Sequence, residues 1–127
     1  MDKSMDSRAE NRRCWENEER KLDERLQEAI MPGGGKAMQR LAKHGKRPVR
    51  DLVAYLIDPG TTFYELSRIA GFGMHYPGVE DVPCAGLVTG IGKIHGNWTM
   101  IVANESRVKA GTYFPITLKK HMRAQFI

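Results

Sequence analysis

The chain is short of most of the residues from which a site can be read directly. It has two cysteines, Cys14 and Cys84, far apart and outside any CxxC spacing or histidine cluster. Neither a zinc site nor a disulfide framework is indicated, and a reduced, intracellular setting is expected. No apolar run approaches the roughly 18 residues of a membrane span. The opening Met1 Asp2 Lys3 Ser4 Met5 Asp6 carries acids and no apolar core, unlike a secretory signal or a transit peptide, so a cytoplasmic location is expected. Hydrophobic residues make up 41% of 127, low for a self-sufficient core, which leaves room for one modest domain.

Positive charge is in excess. Twenty Lys and Arg stand against fifteen Asp and Glu, for a formal charge of +5, and this favours anionic partners such as nucleic acid, a phosphate-bearing cofactor or an acidic protein face. The alternative is an ordinary basic surface. Residues 7 to 30 read as a highly charged helix, opening on a possible capping box at Ser7 Arg8 Ala9 Glu10. Its one narrow apolar face is Leu22, Leu26 and Ala29. Such a helix is marginal alone, so it either lies across a larger body or another subunit, or is a solvated arm. Pro32 Gly33 Gly34 Gly35 then breaks the chain. No strand precedes these glycines and Lys36 is followed by Ala37, so they read as a helix cap and elbow rather than a phosphate loop. The first unit is accordingly 1–35, a charged arm with its elbow, and the second is 36–127.

A short helix is predicted over Lys36 to Lys43, ending at Gly45. A second opens after Pro48 with Val49, Leu52, Val53, Leu56 and Ile57 on one face, and Asp58 Pro59 Gly60 closes it with a turn. The cations Arg40, Lys43, His44, Lys46, Arg47 and Arg50 lack the interleaved aromatics of a nucleic-acid patch, and the competing reading is a groove for another anion. Residues 62 to 66 read as a short strand and 67 to 85 as a loop holding His75 and Tyr76. Leu87–Ile94 and Trp98–Val102 flank a Gly-Asn turn and make a hairpin, in which Gly90 and Gly92 signal a bulge or a close backbone approach.

The stretch that organises the rest is Trp98 to Gln125. An apolar strand passes through a charged turn, Asn104 to Gly111, into a helix that opens at Thr112 or Phe114 with Pro115 in its first turn. Strand, glycine loop and helix start would aim backbone N–H groups near Gly111 at one point, suited to an anion or a developing oxyanion. That pattern is common, but the residues are more specific. Ile101 Val102 Ala103 Asn104, then Val108 to Lys120, then Arg123 Ala124 Gln125 resemble the carboxyltransferase (beta) subunits of biotin-dependent acyl-CoA carboxylases, nearest the methylcrotonoyl-CoA and geranyl-CoA branch. Gly45 Lys46, Leu56 Ile57 Asp58 Pro59 Gly60 Thr61, Phe63 Tyr64 Glu65 Leu66 Ser67 and the strand Thr89 Gly90 Ile91 Gly92 are similar to the same family.

The resemblance implies an α/β fold, the N-terminal fragment of a crotonase-like (ClpP/crotonase) β-β-α spiral preceded by a helical arm. It covers about 33 to 125 here and only the opening part of a family member. The implied reaction moves CO₂ from carboxybiotin to an acyl-CoA through an enolate held by backbone N–H donors. Carried over by residue, the catalytic donors would be the amides of Gly111 and Thr112. Acyl-CoA would be bound by Lys109, Ala110, Gly111 and Tyr113, although most relatives have Gly at the position of Ala110, and Lys109 either meets a CoA phosphate or is solvated. Biotin would come on a biotin carboxylase or biotin carboxyl carrier subunit, other carboxyltransferase subunits would complete a homo-oligomer, and no metal is implied. The uncapped end at Phe126 Ile127 reads as the front of something longer or a piece that completes its core against a partner. The expected chain is inactive alone. Its rivals are a non-catalytic partner of a carboxyltransferase oligomer and a small basic nucleic-acid binder.

Overall fold

The structure, a computed structural model, describes residues 3–78 and 81–127. Helix α1 (Lys3–Ile30) is followed by α2 (Gly34–Lys43) and α3 (Val49–Leu56). A three-stranded antiparallel sheet of β1 (Tyr64–Leu66), β2 (Leu87–Ile94) and β3 (Asn97–Asn104) is ordered β1-β2-β3, and α4 (Pro115–Gln125) packs on it.

The arm is helical, but the capping box is not its start. The helix is already running at Lys3, so Ser7 and Glu10 lie inside it. Its stability is local: Arg20 pairs with Glu24 at 2.7 Å, Lys21 with Glu18 at 2.6 Å and Arg25 with Glu28 at 2.9 Å, all at helical spacing. Of the narrow apolar face, Ala29 is buried while Leu22 stays exposed. The arm therefore docks by its last turns, where the Arg25 guanidinium also lies 4.2 Å from the centre of the Phe72 ring.

At the elbow Gly33 takes φ 73°, and a Cβ there would stand 2.8 Å from that of Ala37. This close approach lets α2 start at Gly34, two residues earlier than expected. In α3 the inner stripe is narrower than the sequence suggests: Val49 and Val53 are buried, whereas Leu52 and Leu56 are half exposed.

The sheet follows the hairpin reading with two corrections. The register of β2 on β3 is unbroken from Leu87↔Asn104 to Ile94↔Asn97, so there is no bulge. Gly90 and Gly92 instead admit close neighbours, since a Cβ on Gly90 would lie 2.5 Å from Phe63 Cζ and from the Tyr64 carbonyl. The tight turn is His95-Gly96 rather than Gly-Asn, because Asn97 already pairs with Ile94 and both turn residues have positive φ. Asp58 explains why a histidine is tolerated there: its carboxylate accepts the amides of His95 and Gly96, each at 2.7 Å. The Gly96 amide, followed by that of His95, holds the Asp58 carboxyl below its ordinary pKa.

Val82, Leu87, Val88 and Thr117 are fully buried between sheet and α4, joined by Ile101, Val108 and Ala124. The basic run divides here. Arg50 turns inward, giving two hydrogen bonds to Glu65 at 3.1 and 2.6 Å. Burial alone would lower its pKa, but the hydrogen bond and charge of Glu65 leave it raised.

Candidate active-site turn

Everything between β3 and α4 is fixed by a buried ion pair that the sequence presents only as a charged turn. The amide of Glu105 donates to Gly86 O at 2.9 Å, which carries its side chain into the interior. Its carboxylate accepts the Arg107 amide at 3.0 Å and the guanidinium at 2.9 and 2.7 Å. Both side chains are only 2% exposed. Arg107 also donates to Ile30 O at 3.2 Å and to Met38 Sδ at 3.3 Å. The end of α1, the start of α2 and the turn are thus held by one guanidinium.

Beyond Val108 the chain makes a left-handed turn, with φ of 44°, 57° and 84° at Lys109, Ala110 and Gly111. Only Gly111 adopts this without steric cost. The turn is closed by Gly111 N–H to Val108 O at 2.9 Å and Thr112 N–H to Lys109 O at 3.1 Å, and Asn104 Nδ2 donates to Gly111 O at 3.0 Å. The two amides expected to point outward as oxyanion donors, those of Gly111 and Thr112, are therefore committed inside the turn.

The helix start is committed as well. Pro115 is the first residue of α4, Phe114 N–H donates to Thr117 Oγ1 at 3.1 Å, and Ile116 N–H donates to the Tyr76 hydroxyl at 3.2 Å. Tyr76 stacks on Phe114, with ring centroids 5.5 Å apart. The loop tyrosine thus fills the place where an anion would meet the helix. Tyr113 turns towards α4, its hydroxyl 3.0 Å from His121 Nδ1.

The open space lies one step earlier, at Lys109 and Ala110. A hollow of about 220 Å³ is lined by Ala37, Arg40, Leu41, His44, Lys46, Ser106, Arg107 and Ala110. A second, of about 390 Å³, is lined by Glu28, Pro32, Gly33, Arg40, Asp81, Pro83 and the run Arg107 to Ala110. Arg40, His44 and Lys46 thereby face the turn, the groove reading of the basic run. Gly111, Thr112 and Tyr113 line neither hollow. The five residues singled out by sequence are contiguous, but Lys109 and Ala110 are the ones at the rim. Glu105, Arg107 and Asn104, which shape the turn, carried no local signal beyond their charge and polarity. Among the described residues no group of three His, Cys, Asp or Glu is placed to hold a metal.

The chain is similar to known proteins. The chain is 50% identical over 108 residues to the methylcrotonoyl-CoA carboxylase beta chain, mitochondrial, of Dictyostelium discoideum, covering 85% of this chain and 18% of that one. It is 43% identical over 104 residues to the biotin-dependent 3-methylcrotonyl-coenzyme A carboxylase beta1 subunit of Mycobacterium tuberculosis, covering 82% and 19%. Among solved structures, the geranyl-CoA carboxylase beta subunit of P. aeruginosa superposes with a TM-score of 0.62 at 32% identity, over 87% of this chain and 19% of that one. Transcarboxylase 12S superposes at 0.72 with 24% identity, a likeness of fold alone. The fold is thus a fragment of the crotonase-like carboxyltransferase fold. With the carboxyl transferase domain matching residues 40–127, the chain belongs to that family, as a segment spanning about a fifth of the length of the curated relatives it matches.

Proposed function

We propose that the chain is the N-terminal, acyl-CoA-facing segment of the carboxyltransferase component of a biotin-dependent acyl-CoA carboxylase. The observation that carries this reading is the left-handed turn at Lys109 and Ala110 on the rim of a basic hollow, within a matched family segment. Carboxylation next to a thioester passes through an enolate, whose oxygen needs preorganised N–H donors. Removing one such donor costs about 3 to 4 kcal/mol of transition-state stabilisation. The amides of Gly111 and Thr112 are spent, so the Ala110 amide, on a residue that lines both hollows, takes the role of donor. Lys109, Arg40 and Lys46 supply positive charge for the phosphates of CoA. The methyl of Ala110 and its positive φ narrow the approach, and Ala110→Gly would relieve both.

Biotin, brought by a partner subunit, supplies the CO₂. The second oxyanion donor and the biotin-binding half belong to the parent subunit outside these 127 residues, and further carboxyltransferase copies complete the oligomer, as in the hexamer named for transcarboxylase 12S. Among the described residues no helix is long and apolar enough to cross a membrane. Location follows the parent enzyme: the cytoplasm on the sequence reading, the mitochondrion if it follows the Dictyostelium and Arabidopsis relatives, whose names carry that word.

The test is a chimera in which this segment replaces its counterpart in the P. aeruginosa geranyl-CoA carboxylase beta subunit. Biotin-dependent carboxylation should persist in the chimera and be absent from the 127-residue chain alone. Lys109→Ala should raise KM for the acyl-CoA several-fold with kcat little changed, and Lys109→Arg should restore it. A chimera that assembles but transfers no carboxyl group, or carboxylation by the free chain, overturns the reading.

A further inference from the structure

The turn before β2 holds a group that carboxyl transfer does not use. Pro83–Gly86 passes through two non-glycine residues at positive φ, Cys84 at 55° and Ala85 at 53°, and is pinned from above by a lysine of α4. Lys120 is 5% exposed, and its Nζ donates to Ser67 O at 3.0 Å, Cys84 O at 3.0 Å and Leu87 O at 2.6 Å. These three carbonyls use all three N–H groups of an ammonium. The Cys84 sulfur nevertheless lies 3.0 Å from the same nitrogen, on a residue 3% exposed. It is a nucleophile held against an amine whose hydrogen bonding does not need it.

On the other side of the sulfur are Arg50 Nη2 and Glu65 Oε1, each at 3.7 Å, and its own S–H points at Leu87 O, 3.1 Å away. Arg50 is itself paired with Glu65, so Lys120 is the one group set directly against the sulfur among these neighbours. Access comes from beneath α1, where a cavity of about 10 Å³ reaches Cys84 between Ala29, Arg68, Phe72 and Pro83. That is room for one water-sized molecule.

We propose that Cys84 and Lys120 are an oxidation site at which hydrogen peroxide, the smallest hydroperoxide, produces a covalent sulfur–nitrogen cross-link. The sulfur attacks a peroxide oxygen; an S–O bond forms, the O–O bond breaks, and the departing hydroxide takes the thiol proton to leave as water. Lys120 releases one proton to solvent, and its nitrogen lone pair then attacks the sulfenic sulfur. The S–N bond forms as the S–O bond breaks, and the second hydroxide leaves as water with one proton from the nitrogen. Sulfur is oxidised by two electrons and one peroxide is reduced to two waters. The sulfenic acid is the ordinary first product of thiol oxidation, and capture by a nearby nitrogen is one of its known fates. The bond ties α4 to the turn before β2 and diverts Cys84 from irreversible sulfinic acid.

The experiment uses the 127-residue chain carrying Cys14→Ser, so that the exposed second thiol does not contribute. After hydrogen peroxide, intact mass should fall by two hydrogens, about 2 Da, rather than rise by one oxygen. Peptide mapping should show the segments holding Cys84 and Lys120 joined, and dithiothreitol should separate them. Because mapping is done on the native pair, the result does not depend on a variant folding. The link should be absent in concentrated guanidinium chloride and in Lys120→Arg, where Cys84 should instead proceed to sulfinic acid. The proposal is overturned if Cys84 is unreactive, if it reaches sulfinic acid equally fast with and without Lys120, or if other lysines are joined as often.

Discussion

Lys119 and Lys120 are indistinguishable in a string of letters and opposite in the structure. Lys119 is exposed, while Lys120 is buried and adds a charged donor to three carbonyls, those of Ser67, Cys84 and Leu87. Lys120→Met removes these charge-assisted hydrogen bonds and should cost about 1.5–3 kcal/mol. Lys119→Met should stay within about 0.5 kcal/mol. The midpoints of urea unfolding compare the two. Glycines divide in the same way. Gly90→Ala pushes a methyl to 2.5 Å from Phe63 and the Tyr64 carbonyl and should cost about 2–3 kcal/mol as overpacking. Gly96→Ala meets open space and should cost only the left-handed backbone penalty of about 1–2 kcal/mol. Close approach at Gly90 was legible from a glycine inside a strand pattern. Burial of Lys120 was not, because its partners lie 33 to 53 residues away.

The elements with a strong local signal, the helix after Pro48, the Leu87–Val102 hairpin and the helix expected to open at Thr112 or Phe114, all form, the last starting at Pro115 with Phe114 as its cap. What it missed is how loops are held. Asp58 closes the hairpin from 37 residues away, and its depressed pKa gives a signed expectation. A carboxyl whose folded pKa lies below its unfolded value stabilises the fold fully above the ordinary carboxylate pKa, near 4. That contribution disappears as pH falls through the lower folded value. Thermal midpoints measured from neutral pH downward should drop through this window in the wild type, and Asp58→Asn should be lower at neutral pH and flatter below pH 4. The turn before α4 depends likewise on Glu105 and Arg107. Glu105→Ala leaves a buried guanidinium unpaired and should cost about 3–5 kcal/mol, whereas adding Arg107→Met should recover a large part of the loss. Denaturant unfolding of the two variants decides it. The outward donors expected at Gly111 and Thr112 failed for the same reason the turn is rigid: a tight left-handed turn consumes the amides that close it.

Taken whole, the molecule has its packed part in α3, α4 and the sheet, with the arm laid against it by one end. Removing residues 3–20 should change stability by less than about 0.5 kcal/mol while lowering helical circular dichroism, because Ala29, Arg25 and Phe72 make the contacts. A charged helix with only a narrow apolar face was readable from the sequence; its point of attachment was not. That attachment has a mechanical side. At 28 residues α1 is about 42 Å long. The oxygen gripped by Arg107 belongs to its final residue, Ile30. The arm is therefore a lever with its fulcrum at the turn before α4, and a partner that tilts the far end tugs on the same guanidinium that pairs with Glu105.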